Sequence, residues 1–328
     1  MGRSFYVVAL FGYRLIVLLT IVANCLNYTL QPGSGEYICI KNILQLKNTM
    51  VLFRTRPETI TPMPRFKTLE ISNPAYESNN LRFITVKTPN LKGRGDICVY
   101  VPPGTGPNDT LPIVILLHGV YGSAWSWPLS SGVHINAHEL IEKGQLPPMI
   151  IAMPSDGMWG DGSAFLPLDG YNFEKWIAED VPDAIIESIR GANRQSPLFI
   201  AGLSMGGFGA LRIGAKYGHK FRAIAGHSSM TSLPQIKFFV EESLKHYVQD
   251  NITDEDVFET FLKYRKQLPP VRFDCGINDL LINYNRALHK KMDNEGMLHQ
   301  YVENTGGHEW SYWATHIIHT LKFFACYL

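Results

Sequence analysis

The sequence has few cysteines and no strong excess of either charge. Five cysteines occur among 328 residues without a C-x-x-C pair, so neither a cysteine zinc site nor a disulfide framework is indicated. The chain has 30 basic and 29 acidic side chains, and its formal net charge of +1 does not favour a nucleic-acid partner. Repeats and low-complexity tracts are also lacking. The chain is therefore suited to small, nearly neutral substrates.

The N-terminal apolar run is too short to span a membrane. Leu15–Leu26 follows Arg3 and Arg14 and has the length of a signal-peptide core. We interpret residues 1–65 as a leader, either a signal or anchor or an extension outside the domain. A functional signal would make the protein secreted, periplasmic or membrane-anchored, with membrane contact only if the segment is retained. Otherwise the protein is cytoplasmic.

The remaining residues, 66–328, are expected to form one α/β domain. The chain is 45% hydrophobic and 18% charged, which is typical of a folded protein with a large core. Short apolar runs alternate with helical patterns, and this indicates a mostly parallel sheet with helices on both faces. The predicted strands are Arg82–Thr88, Asp96–Val101, Ile113–Leu117, Met149–Met153, Leu198–Ala201, Arg222–Ala225, Val271–Cys275 and Gln300–Val302.

Helical spacing is found between and after these strands. Phe173–Arg190 has apolar residues near this spacing, but Pro182 predicts that it begins as two short pieces. Two further helices are predicted at about Leu281–Asn294 and Trp310–Tyr327. Residues 230–268 are polar and helix-like and are expected to form a small helical insertion, resembling a lid.

A G-x-S-x-G motif identifies Ser204 as the candidate nucleophile. The motif, residues 202–206, follows a predicted strand and precedes a helical pattern, which is the context that this turn requires. The glycines are expected because an abrupt strand-to-helix turn leaves no room for side chains two positions away. An ordinary strand-to-helix turn is the alternative explanation.

A serine hydroxyl needs a base to accept its proton, and the base needs an acid to orient it. His308 lies in a glycine-rich loop after a predicted strand, whereas His289, His316 and His319 lie in helical patterns. His308 is therefore the candidate base. Asp279, just past the strand from Val271, is the candidate acid. Its rival is Asp274, which lies within the strand and is expected to point sideways.

The segment after Ile113–Leu117 is expected to supply half of an oxyanion hole. It reads His118-Gly119-Val120-Tyr121-Gly122. Backbone N–H groups aimed at the negative oxygen of a tetrahedral intermediate supply its stabilisation, and the expected donors are Val120 and Met205. Tyr121 could replace Val120, and His118 is interpreted as structural.

Four segments together resemble the putative-esterase family of α/β-hydrolases: HGVYGS, GLSMGGFGAL, CGINDLL and GGHEWSYW. This family includes esterase D, tributyrin, feruloyl and enterochelin esterases, and mycolyltransferases, and the resemblance covers roughly residues 80–328. It implies the α/β-hydrolase fold, Ser204 as nucleophile, Asp279 as acid and His308 as base. It also implies oxyanion donors at Val120 and Met205.

The expected function is that of a serine esterase acting through an acyl-enzyme on short-chain or aromatic acyl esters. Alternatives are an acyltransferase, an S-formylglutathione-type thioesterase and a catalytically silent binding protein. S-formylglutathione hydrolases have histidine where this chain has Leu203, and this difference disfavours the thioesterase alternative. The substrate is expected to be a small-molecule or carbohydrate-linked ester, with no metal or organic cofactor. Weaker substrate-binding candidates are Tyr121, Trp159, Asp161 and Trp310.

Overall fold

A nine-stranded sheet forms the centre of the computed structural model, which describes residues 65–328. The predicted leader, including Leu15–Leu26, lies outside the described residues except for Arg65. In the described part, no helix is long and apolar enough to cross a membrane. The strands of this sheet are β1 (Leu69–Ile71), β2 (Leu81–Thr88), β3 (Gly93–Tyr100), β4 (Ile113–Leu117), β5 (Ile150–Pro154), β8 (Leu198–Leu203), β9 (Phe221–His227), β10 (Val271–Gly276) and β11 (His299–Asn304).

The strand order is β1-β2-β3-β5-β4-β8-β9-β10-β11. The first three strands and the β3–β5 pair are antiparallel, and all later pairs are parallel. Every predicted strand is present, and β2 and β3 form the expected hairpin. A separate two-stranded sheet joins β6 (Pro167–Leu168) to β7 (Tyr171–Asn172). The carboxyl ends of the parallel strands therefore lie together at one edge, where such folds place their sites.

Helices cover both faces of the sheet and enclose two apolar clusters. One face carries α1 (Ser126–Ser131), α2 (Val133–Glu142) and α8 (Trp310–Ala325), and the other carries α4 (Val181–Ser188), α5 (Met205–Lys216), α6 (Val257–Lys263) and α7 (Ile282–Asn294). Strands such as Ile113–Leu117 are buried throughout, as the continuous apolar run requires. The predicted α/β-hydrolase architecture is confirmed.

The predicted helix over Phe173–Arg190 consists of three pieces. A short α3 (Phe173–Lys175) continues into a π-helical turn, Trp176–Asp180, before α4 begins. Pro182 lies in the first turn of α4, immediately after the π-helical turn. The π-helical turn was not part of the prediction.

The insertion, residues 230–268, forms short helices that lead back to the sheet. It contains α6 together with the 3₁₀ turns Leu233–Phe238, Leu244–His246, Ile252–Glu255 and Arg265–Gln267; a further 3₁₀ turn, Pro74–Tyr76, lies near the start of the described chain. Most of these turns are too short to bury a continuous apolar face, so their position depends on individual contacts with neighbouring loops.

Candidate active site

Ser204 lies at the sharp turn between β8 and α5. Its backbone has φ 54° and ψ −119°, in the left-handed half of conformational space that non-glycine residues rarely adopt. Two glycines make the turn possible: a Cβ at Gly202 would come within 2.2 Å of the Gly206 carbonyl oxygen, and one at Gly206 would lie 2.4 Å from the carbonyl oxygens of Leu117 and His118. The turn therefore presents the Ser204 side chain at the carboxyl edge of the sheet.

Three side chains from separate loops form a hydrogen-bonded chain. The Oγ atom of Ser204 lies 3.0 Å from Nε2 of His308, and Nδ1 of His308 lies 3.0 and 3.1 Å from the two carboxylate oxygens of Asp279. Ser204 and Asp279 are buried. Because the carboxylate accepts a hydrogen bond from Nδ1–H, Nε2 is left with a lone pair directed at the serine hydroxyl. This arrangement can move a proton from the hydroxyl to the imidazole.

Asp274, the rival candidate acid, lies in a different and fully buried network. Its carboxylate contacts Nδ1 of His227, the Arg272 guanidinium and the Tyr312 hydroxyl, each at 3.0 Å. Burial alone would raise the pKa of Asp274, but His227 and Arg272 hold it below its usual value. His227 also contacts Thr320 through Nε2. The structure therefore places Asp279, and not Asp274, against His308.

The predicted oxyanion loop follows β4 directly. Among its backbone amides, that of Tyr121 donates to the Asp161 carbonyl at 2.8 Å, which removes it as an alternative donor. Met205 begins α5, so its N–H is among those at a helix start that have no partner within the helix. Val120 and Met205 therefore remain the predicted oxyanion donors.

His118 stabilises the loops around the site. Its Nδ1–H donates to the Gly119 carbonyl at 2.7 Å, and its Nε2 accepts from the Asp156 backbone N–H at 3.0 Å. Asp156 in turn accepts hydrogen bonds from the backbones of Met158 and Ser163. The glycine-rich loop that contains Trp159 and Asp161 is therefore attached to the oxyanion loop through His118.

The four weaker candidates occupy different positions. Tyr121 is exposed, and its hydroxyl donates to the Phe239 carbonyl; partial desolvation and the nearby Asp161 carboxylate raise its pKa. Asp161 accepts from the Glu241 backbone at 2.9 Å, so it anchors the insertion. Trp159 packs edge-on against Tyr247. Trp310 packs edge-on against Trp127 and Trp313.

Two aromatic residues contact His308 directly and were not predicted as site residues. Phe239, from the insertion, stacks on the imidazole at 5.1 Å and 22°. Trp313 meets it edge-on at 5.0 Å. Trp313 is close enough in sequence to be suspected, because it lies in the first turn of α8, just after the loop that carries His308. Nothing in the sequence around Phe239 signals its position, which depends on the path of the insertion.

A mostly parallel sheet with this serine, histidine and aspartate at its carboxyl edge defines a serine hydrolase of the α/β-hydrolase fold. Residues 88–324 match the family described as "Putative esterase", and the chain belongs to that family. It is a carboxylic ester hydrolase.

Individual proteins are similar over much of their length. An acetyl esterase of Caldicellulosiruptor saccharolyticus is 27% identical over 262 residues, covering 74% of this chain and 90% of its own. A ferulic acid esterase superposes with a TM-score of 0.66 at 22% identity, covering 80% of this chain and all of the other. An S-formylglutathione hydrolase from Staphylococcus aureus gives 0.64 at 17% identity, covering 78% and 99%. These two structural likenesses support the fold.

Proposed function

We propose that Ser204, His308 and Asp279 hydrolyse carboxylic esters by two-step acyl transfer. The Ser204 hydroxyl attacks the ester carbonyl while His308 takes its proton, and His308 then protonates the departing alcohol. Water next attacks the acyl-enzyme as His308 accepts its proton, and the proton returns to the Ser204 oxygen as the acid leaves. The observation that carries this proposal is the 3.0 Å contact between the Ser204 hydroxyl and His308 Nε2.

The backbone N–H groups of Val120 and Met205 would stabilise the negative oxygen of each tetrahedral intermediate. Removing one such donor typically costs a hundredfold or more in rate. The engaged amide of Tyr121 supports Val120 as the donor from this loop.

Side chains next to the site support an uncharged ester with an apolar or aromatic acyl group. Four exposed aromatic or aliphatic side chains are close in sequence to the proposed site residues. Tyr121 follows Val120, Phe238 precedes Phe239, and Ile277 and Leu280 lie within two residues of Asp279. The negative charges of three carboxylates, Asp161, Glu241 and Glu242, help to raise the pKa of Tyr121. Negative charge here disfavours an anionic substrate such as a glutathione thioester. The names of the similar acetyl and ferulic acid esterases agree with small or aromatic acyl groups.

The Ser204→Ala variant tests the mechanism. We expect hydrolysis of p-nitrophenyl acetate to fall by about 10⁴-fold or more, because the nucleophile is lost. The melting temperature should stay close to that of the native chain, and Ser243→Ala, a hydroxyl in the insertion, serves as the matched control. Full activity in Ser204→Ala would contradict the proposal.

The acyl group is tested separately with a substrate panel. Acetyl, butyryl, feruloyl and long-chain esters should be compared with S-formylglutathione by kcat/KM. We expect the neutral short and aromatic esters to be preferred over the thioester. Adding an alcohol as acceptor distinguishes hydrolysis from acyl transfer, because a transferase would release less free acid.

A further inference from the structure

Two histidines and an aspartate meet at the end of the sheet opposite to Ser204. His289 and Asp293 are one turn apart on α7, and His299 is the first residue of β11. Nδ1 of His289 lies 2.8 Å from Nε2 of His299, and Nε2 of His289 lies 3.4 Å from an Asp293 carboxylate oxygen. One donor atom from each residue lies within 4.8 Å of the other two.

The His299 side chain, which is the buried member of this cluster, already has the tautomer of a metal ligand. His299 is almost fully buried, stacks on Phe273, and contacts the Met297 carbonyl through Nδ1 at 2.7 Å. A carbonyl can only accept, so Nδ1 carries the proton and Nε2 keeps its lone pair. A backbone carbonyl on the second ring nitrogen is the usual support of a histidine that binds a metal through the first.

The carboxylate is available for a cation. In the described part of the chain, no lysine or arginine nitrogen lies within 4 Å of Asp293, and its ionic contacts are to His289 and His299. Asp293 also lies in the last turn of α7, where the helix dipole favours positive charge. Both the acidic group and the helix end therefore attract a cation to the same point.

We propose that His289, Asp293 and His299 form a zinc site that stabilises the fold. Imidazole nitrogens with one carboxylate suit zinc rather than calcium or magnesium, which prefer oxygen ligands. His299 Nε2 is the acceptor in the contact with His289, so Nδ1 of His289 carries the proton there and must release it to solvent when zinc binds. At Zn–N distances of about 2.0–2.1 Å, tetrahedral donors lie roughly 3.3 Å apart, so the two ring nitrogens must also separate by about half an ångström. Water would complete the coordination.

The site has a structural and not a catalytic role. His299 begins β11 and His308 follows its far end, so about 17 Å of strand separates the cluster from the proposed active site. A bound ion would join α7 to β11 across the turn at Gly296, which has φ 61°. Zinc binding is expected to raise the melting temperature and to leave esterase activity unchanged.

The test uses the full chain after treatment with a chelator. Zinc is added in competition with a chromophoric chelator, and thermal unfolding is recorded with and without zinc. We expect one tight site per chain and a higher melting temperature with zinc. His289→Gln and Asp293→Asn change partly exposed side chains and should weaken binding by on the order of a hundredfold while preserving the zinc-free fold. Cobalt in place of zinc should give the visible absorption of a four-coordinate ion.

A matched control is available on α2. His138 and Glu142 form a second histidine–carboxylate pair one turn apart, with 3.9 Å between nitrogen and oxygen. In residues 65–328 this pair has no third histidine, cysteine or carboxylate placed to share a metal ion. His138→Gln should leave zinc affinity and the zinc-dependent rise in melting temperature intact. Equal binding by the native chain, His289→Gln and Asp293→Asn would overturn the proposal, as would a native chain that binds no zinc at micromolar concentrations.

Discussion

His308 depends on Asp279 for the orientation of its ring and for the nitrogen that carries the proton. Both carboxylate oxygens lie within hydrogen-bonding distance of Nδ1, and Asp279 also accepts from the Leu281 backbone at 2.8 Å. The carboxylate is therefore fixed on both sides. An amide in its place could donate to Nδ1 and favour the wrong tautomer.

Asp279→Asn tests this role at the level of one residue. In our proposal the variant keeps the shape of the site but loses about 10⁴-fold in kcat, because Nε2 is then protonated and cannot accept the serine proton. Ester hydrolysis and thermal unfolding should be measured together. A variant that remains folded and keeps native kcat would remove Asp279 from the proposed mechanism.

That Asp279, and not Asp274, contacts His308 could be predicted from the sequence, because strand residues alternate in direction. Asp274 falls on the side face of β10, while Asp279 follows the strand end. The stacking of Phe239 on His308 was not accessible in this way. It depends on where a 3₁₀ turn brings a residue far away in sequence, and no local periodicity encodes that approach.

At the scale of elements, the β8–α5 turn depends on how closely Gly206 approaches the end of β4. A methyl group there would meet two backbone carbonyl oxygens at 2.4 Å, and backbone cannot rotate away as a side chain can. The first turn of α5 would have to move. That movement would displace Met205, whose N–H is a proposed oxyanion donor.

Gly206→Ala should therefore remove most esterase activity and cost about 1–3 kcal/mol of stability through overpacking. Gly93→Ala is the matched control, since a Cβ at Gly93 meets only the Leu91 carbonyl oxygen at 3.6 Å, an ordinary contact. Activity and urea unfolding should be measured for both. Retention of native kcat by Gly206→Ala would show that the turn tolerates the shift.

Element types were largely predictable, and their irregularities were not. Continuous apolar runs predict buried parallel strands because both faces of such a sheet are covered. The π-helical turn at Trp176–Asp180 ends on a residue with tertiary contacts: Asp180 is buried, and its carboxylate accepts from Thr88 and Asn90 near the end of β2 and from Arg65. Those partners are more than eighty residues away, so the pattern around Pro182 could not reveal them.

At the scale of the whole molecule, the Asp274 network links β9, β10 and α8. The pKa of Asp274 is lower in the folded chain than in an unfolded one, because His227 and Arg272 stabilise the carboxylate more than burial disfavours it. Its contribution to stability is therefore present above the usual aspartate pKa and is lost as pH falls through the lowered value.

Asp274→Asn should lower the unfolding free energy near neutral pH by about 3–5 kcal/mol, because His227 and Arg272 lose their partner. The difference from the native chain should shrink in acid, where the native carboxyl is also neutral. Urea unfolding from neutral pH to below pH 4 measures this. Asp254→Asn, which breaks a more exposed pair with Lys216, should change stability by about 1 kcal/mol or less. A constant difference across the pH range would exclude this explanation.

The N-terminal boundary of the catalytic domain, predicted at residue 66, remains a prediction. The contacts of Arg65 indicate that the boundary lies earlier in the chain. Its guanidinium pairs with Asp180 and Asp183, and its backbone N–H donates to Glu187, so the domain should begin before this residue. A chain lacking residues 1–62 should fold and keep its kcat, while Arg65→Ala in that chain should lower its melting temperature by leaving Asp180 less well paired. Circular dichroism and ester hydrolysis test both. Loss of folding on removal of residues 1–62 would place part of the domain in that segment.

Tyr121 connects the loop that carries Val120 to the insertion that carries Phe239. Its amide is attached to Asp161, its hydroxyl to the Phe239 carbonyl, and it directly follows Val120. A displacement of Phe239 would therefore be transmitted through Tyr121 to the loop that carries Val120, a proposed oxyanion donor. Any substrate that shifts Phe239 would then also shift Val120, so substrate preference is expected to appear in kcat as well as in KM.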